Sequence, residues 1–330
     1  MGIKVCKFGG TSMADGNIIQ SAAKIVAADP ARRYVVVSAP GKRFGGDIKV
    51  TDLLYKCSEL AETGGAFEAE FSKIRTRFLN IEKEIGLDLG VEGMLDEIEE
   101  RVLRGEGRDY CASRGEYLAA RIMAAVLDVP FVDAADIVRF KADGSLDEET
   151  YALAASVLKK YARAVVPGFY GRGADGKIKT FSRGGSDISG AVLARAVKAS
   201  LYENWTDVDG MLTADPRIVS QAVTIPAITY AELQEMTYQG ATVLHEDAVR
   251  PAWDAGIPIH ICNTFHPEAA GTWIRSENVL HENPVTGVAG RKGFSIILIE
   301  KEKMNAMVGY VRKTLSCLEH HQVPFFASSK

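Results

Sequence analysis

Two glycine-centred segments carry residue types that could hold an anion close to the backbone. Lys7-Phe8-Gly9-Gly10-Thr11-Ser12 follows an apolar run and precedes a helical pattern. At a strand end, glycines let backbone N–H groups approach an anion closely. Lys7 adds a mobile positive charge and Ser12 a hydroxyl. The plain alternative is that Gly9-Gly10 only makes a tight strand-to-helix turn. Arg183-Gly184-Gly185-Ser186-Asp187 repeats the arrangement, with a helix to follow whose first N–H groups attract anions. Asp187 is there either a helix cap or part of the chemistry. Two such elements in one chain suggest two crests around a single phosphate chain.

Two further clusters are weaker. Trp205-Thr206-Asp207-Val208-Asp209-Gly210, continuing to Thr213-Ala214-Asp215-Pro216-Arg217, holds ordinary turn formers. The same residues offer acceptors for a ribose, a base or a hydrated magnesium ion, and Arg217 for phosphate. Ser113-Arg114-Gly115-Glu116 opens a long helical pattern, where a glutamate is favoured by the helix dipole. Buried beside a cleft, Glu116 would instead hold a substrate ammonium group. Gly171-Arg172-Gly173-Ala174-Asp175-Gly176-Lys177-Ile178 nearly fits a Walker loop, but Ile178 replaces the magnesium-binding hydroxyl and a strand follows. No GxGxxG follows the first strand, so a dinucleotide site is unsupported.

The elements that must position these residues alternate along the chain. Apolar runs at 3–8, 34–38, 129–132, 164–167, 177–181, 200–204 and 257–262 read as strands. Amphipathic stretches at 18–28, 51–63, 66–85, 110–127, 146–161 and 188–199 read as helices. That alternation predicts an α/β fold of three layers, an open, mainly parallel sheet with helices on both faces. Residues 171–176 predict a hairpin, and the charged block at 66–104 a partly exposed helical insert. Residues 278–290 read as a linker and 291–330 as an incomplete β-α-β segment: a strand at 294–300, a helix at 303–321 and the start of a strand at 323–327. Such a fragment cannot cover its own sheet, so the natural chain is expected to continue past Lys330.

At 330 residues, 47% hydrophobic and 25% charged, the chain has the make-up of a soluble globular protein with a sizeable core. A net charge of -4 and no long basic run argue against a nucleic-acid partner. The five cysteines are scattered without metal-finger spacing, and neither they nor His320-His321 reads as a metal site, which predicts buried thiols in a reducing compartment. No leader-like segment and no run near the roughly 18 apolar residues of a membrane span appears. A cytoplasmic protein without a membrane partner is expected.

Seven segments in order resemble the aspartokinase branch of the amino-acid kinase family. They are KFGGTSMAD, VVVSAPG with Lys49-Val50-Thr51-Asp52, SRGE, VVPGFYG, TFSRGGSDISG, WTDVDGMLTADPR and ITYAELQEMTYQGATVLH, and they cover nearly all of residues 3–275. The resemblance implies a catalytic domain over 1–277 and an ACT-like regulatory module begun at 291–330. It implies transfer of the γ-phosphoryl group of ATP to the side-chain carboxylate of L-aspartate, the entry to lysine, threonine and methionine biosynthesis. MgATP is the implied donor, and a homodimer is implied for the full-length form. Among superfamily relatives that phosphorylate glutamate, acetylglutamate or nucleotides, the SRGE and RGGSD pair and the tail favour aspartate.

By the same resemblance Lys7 bridges the phosphates, with Gly9 and Gly10 donating backbone N–H bonds, and Asp187 orients Lys7 or the reacting groups. Ser12, Gly184, Gly185, Thr206, Asp207 and Arg217 fall on the nucleotide side. Arg183 grips the substrate α-carboxylate, Glu116 pairs with the α-ammonium, and Ser38, Thr51 and Ser186 line the aspartate site. Leu212, Thr242 and Glu246 depart from residues common in the family, and no nucleotide contact is carried onto Thr242.

Overall fold

The strand β1 (Lys4–Phe8) turns Val5 and Lys7 to one side and Cys6 and Phe8 to the other, and the layers of the fold follow from those two faces. The structure, a computed structural model, describes residues 2–182, 184–240, 244, 246–276, 285–290, 293 and 308–323. After β1 come α1 (Gly16–Ala27), β2 (Arg32–Val37), α2 (Val50–Glu62), α3 (Glu68–Ile85), α4 (Val91–Leu103), α5 (Arg108–Leu127), α6 (Ala134–Ile137), α7 (Glu149–Leu158) and β3 (Ala164–Pro167). There follow β4 (Tyr170–Arg172), β5 (Ile178–Thr180), α8 (Gly185–Ala196), β6 (Leu201–Thr206), β7 (Ala227–Thr229), α9 (Tyr230–Tyr238), α10 (Glu246–Asp254), β8 (Ile259–Asn263) and β9 (Thr272–Arg275).

The main sheet runs β3-β2-β1-β6-β8-β9-β7. Strands β3, β2, β1, β6 and β8 are mutually parallel, whereas β9 pairs antiparallel with β8, and β7 pairs parallel with β9. On the Val5 face, Tyr34, Val36, Val166 and Tyr202 pack against α8 and α10 through Ala191, Leu193, Val249 and Ala252. On the Cys6 face, Phe8, Val35, Val37 and Trp205 meet α1, α2 and α5 through Ile19, Leu54 and Met123. This is the expected three-layer, mainly parallel α/β architecture.

Several expectations change at the level of single elements. Residues 129–132 give one bridge, Phe131 to Val165, rather than a strand; Pro130 has no N–H with which to extend a ladder. The short strands β7 and β9 are not expected from the sequence. The Walker-like string is the expected hairpin: β4 pairs antiparallel with β5, and Gly176 turns at φ +80°. The charged block forms α3 and α4, which send Phe71, Ile74, Phe78, Leu95 and Ile98 into the Cys6-face core and leave their Glu and Lys residues mostly outside.

Cys6, Cys57, Cys111 and Cys262 are buried free thiols, but Cys317 is exposed, contrary to a uniformly buried set. Among the described residues no helix is long and apolar enough to cross a membrane. Residues 285–290, within the expected linker, are fastened down. Thr286 Oγ1 donates to Glu232 Oε1 at 2.7 Å, and Val288 N to Thr213 O at 2.7 Å. Met1–Gly290 form one compact unit and Arg291–Lys330 a second, in which α11 (Tyr310–His320) is described. The expected strand at 294–300, residues 303–307 of the expected helix and all of 323–327 but Val323 lie outside the described residues.

Candidate functional site

The chain goes from β1 to β2 and β3 on one side and returns to build β6 and β8 on the other. The edge between β1 and β6 is therefore the topological switch point, where open parallel sheets hold their ligands beyond the strand ends. Lys7 and Asn204 are register partners across that edge. Lys7 is only 6% exposed, and its Nζ lies 2.6 Å from Asp187 Oδ1 at the start of α8. Asn204 Nδ2 donates to the same oxygen at 2.8 Å, and Tyr202 Oη donates to the Asp187 carbonyl at 3.0 Å. The cap position of α8 belongs to Gly184, at φ +57° and without a side-chain cap, so Asp187 is not the cap. Asp187, in the first turn of α8, is thus held by the sheet. Asn204 and Tyr202 were not singled out in the sequence, although a buried Asn inside an apolar strand is itself a signal.

The glycine turn departs from expectation in two places. Gly9 N already donates to Trp205 O at 2.9 Å, so that N–H is tied into the β1–β6 junction rather than offered to an anion. Ser12 is fully buried with Oγ 2.7 Å from Thr264 Oγ1, which makes it a strut to the end of β8. Gly10 stays at the turn, its carbonyl accepting from Met13 N at 3.1 Å and Gly41 N at 2.7 Å.

On the other side of β1, Ser38 N donates to Phe8 O at 3.0 Å, which sets Ser38 beside the glycine turn. Thr51 opens α2, whose Val50 N reaches Pro40 O. Ser186 is buried against Gly168, just past the end of β3. Helix α5 starts at Arg108, so Glu116 sits two turns inside it and the helix-dipole explanation falls away. Gly115 brings α5 tight against Ala39; a Cβ there would come within 2.6 Å of Ala39 Cβ. Glu116 is 5% exposed and its Oε2 has no hydrogen-bond partner. Burial pushes its carboxyl up to about 8, against the opposing pull of the Ala39 backbone N–H and the Arg114 charge. A buried, partnerless carboxylate oxygen is a costly feature to keep unless a cation meets it. Arg183, like Thr242, lies outside the described residues.

The third sequence cluster lines a cleft of about 660 Å³ with Asp207, Asp209, Leu212, Arg217, Asn263 and His266 among its walls. That size is in the range of small-molecule sites. Thr206 Oγ1 donates to Asp207 Oδ1 at 3.2 Å. Asp209 accepts from Asn263 Nδ2 at 2.6 Å and lies 3.1 Å from His266 Nδ1, so its carboxyl is held below the usual range. Arg217 is 84% exposed and pairs with Asp215 of its own turn at 2.7 Å, so it is not drawn to Lys7 and Asp187.

The description "Amino acid kinase family" matches residues 2–263 of the chain. Aspartokinase 3 of Bacillus subtilis is 37% identical over 98% of the chain and 74% of its own length. Chloroplastic aspartokinase 1 of Arabidopsis thaliana is 31% identical over 96% of the chain, which spans 59% of that protein. Among solved structures, the aspartate kinase of Clostridium acetobutylicum superposes with a TM-score of 0.92 and 43% identity, covering 100% of this chain and 76% of that one. The E. coli aspartokinase III complex with aspartate and ADP gives 0.79 and 29%, covering 99% and 77%.

Proposed function

The chain belongs to the amino acid kinase family, on its aspartokinase branch, and from that membership we propose that it transfers the γ-phosphoryl group of ATP to the β-carboxylate of L-aspartate. The observation that carries the reading is the pair of buried Lys7 and half-buried Asp187 at the β1–β6 switch point, Asp187 standing in the first turn of α8, whose N-cap has no side-chain cap. The acceptor carboxylate has an ordinary pKa of about 3.9 and is already ionised at neutral pH. A carboxylate oxygen forms the new P–O bond as the bond to the bridging oxygen of ADP breaks, and no proton needs to move. The obstacle is to bring one anion up to another, which positioned cations and N–H dipoles overcome.

Lys7 supplies the cation at the transferring group, held ready by Asp187, which is itself fixed by Asn204. Gly10 and the first N–H groups of α8, at Gly185 and Ser186, face the phosphates. Gly9 serves through its missing side chain, and Gly184 through its left-handed turn into the helix. Ser12 acts as a strut behind the turn. Asp207 and Arg217 bound the nucleotide cleft, and Thr206 stands next to it, bonded to Asp207. Magnesium would come as a largely hydrated ion on the phosphates, which is how this small, reluctantly dehydrated cation usually reaches a kinase site. On the acceptor side Glu116 receives the α-ammonium, Ser38, Thr51 and Ser186 line the cavity, and Arg183 takes the α-carboxylate. Residues 291–330 we read as the beginning of an ACT-like module.

The test is aspartate-dependent ADP release, with hydroxylamine trapping of the acyl phosphate, across aspartate, glutamate, N-acetylglutamate and UMP. Aspartate alone should give both ADP and a hydroxamate. Turnover with glutamate and none with aspartate would defeat the assignment.

A further inference from the structure

Helix α3 carries one charged residue on its buried stripe. Phe71, Ile74, Phe78 and Ile81 point into the core, and Arg77 points the same way at 5% exposure. Its guanidinium goes to the chain on either side of the glycine turn. Nη1 donates to Gly41 O at 3.0 Å and to Ala14 O at 3.3 Å, and Nη2 lies 2.5 Å from Asp47 Oδ2. Arg43 grips both oxygens of Asp47, with Nε at 2.8 Å from Oδ2, the oxygen it shares with Arg77, and Nη2 at 3.1 Å from Oδ1. Gly41 in turn is bonded through its N–H to Gly10 O, and the two glycines touch so closely that a Cβ on Gly41 would lie 2.6 Å from Gly10 C. One side chain therefore fastens both loops that meet at the phosphate turn: 9–14, which follows β1, and 41–49, which leads to Thr51.

We propose that Arg77 is a positioning residue for phosphoryl transfer, holding the Gly10–Gly41 contact and thereby the alignment of the Lys7 turn with the acceptor loop. The inference rests on the aspartokinase reading above. A guanidinium suits the task because it presents several donors in a fixed plane and can satisfy two carbonyls and a carboxylate at once. A lysine is a point donor and can keep only part of that geometry. Loosening the contact would shift the turn without removing any group that touches substrate, and a misplacement of about 1 Å costs on the order of a hundredfold in rate.

The experiment compares the full chain with its Arg77→Met and Arg77→Lys variants by steady-state ADP release. The folded fraction is counted by circular dichroism, and assays run well below each Tm. Per folded molecule, kcat of Arg77→Met should fall at least about tenfold with the KM values changed less than about threefold, and Arg77→Lys should recover part of kcat. A purely structural arginine would lower Tm and leave kcat per folded molecule within about twofold of the parent; that result overturns the proposal. Should Arg77→Met not fold, Arg77→Lys decides alone: kcat at the parental value overturns it, and a several-fold loss supports it. An inactive parent chain would defeat the aspartokinase reading and this proposal with it, whereas an active parent with unaffected variants defeats only the proposal.

Discussion

Lys7 and Asp187 hold each other at 2.6 Å in a site largely shielded from water, so removing either leaves the other charge poorly compensated. Lys7→Ala and Asp187→Ala should each lower turnover by about a hundredfold or more while the circular dichroism spectrum stays native. Near-parental kcat at saturating ATP and aspartate in either variant would remove that residue from the chemistry. Glu116 makes a different statement, about pH. Its folded carboxyl titrates near 8 against an ordinary 4.5, so its favourable share of stability is full below about 4.5 and is lost as pH rises through 8. Glu116→Gln removes that loss. The variant should be more heat-resistant than the parent above pH 8, by on the order of 5 °C, yet use aspartate far less well. A parent and variant with the same Tm dependence on pH would show that Glu116 is not the titrating group.

At the scale of elements, β6 carries two different polar positions on its two faces. Asn204 serves Asp187 on one side. On the other, Glu203 accepts from Arg32 Nε at 2.7 Å, Trp205 Nε1 at 3.0 Å and Lys4 Nζ at 3.2 Å, tying β1, β2 and β6 together. Burial pushes the Glu203 carboxyl up, but Arg32 and Lys4 bring it below its usual value, so its contribution is present at neutral pH and lost as pH falls through the lowered value. Glu203→Gln should cost about 3 kcal/mol in urea unfolding at pH 7, with a smaller deficit in acid. A cost that did not shrink in acid would rule out the ionic origin. The strand-glycine-helix spacings exposed Lys7 and Asp187 in the sequence because strand ends and helix starts leave local marks. Asn204 and Arg77 meet their partners 17 or more positions away in the chain, and no local pattern names such partners. Arg77 left only one trace, a charge within the apolar stripe of α3. Gly9 misled for the same reason: the strand that takes its N–H, β6, lies some two hundred residues on.

For the whole molecule, the unit Met1–Gly290 includes 285–290, whose Val288 lines the cleft proposed for the nucleotide and is bonded to Thr213. A chain ending after Gly290 should keep its KM for MgATP within about threefold, while one ending after Ser276 should raise it by about tenfold. Equal values for the two would show that this segment contributes nothing to nucleotide binding. The same fastening has a mechanical meaning. Near the end of Met1–Gly290, Thr286 and Val288 are hydrogen-bonded to Glu232 and Thr213, and Ala289 packs on the Val5-face core, before residues 291–330 begin. Tension applied at the C-terminal end would therefore reach α9 through Glu232, and the loop after β6 through Thr213, before the sheet that holds Lys7. In a single-molecule pulling experiment, loss of nucleotide grip should precede rupture of the β1–β6 pair.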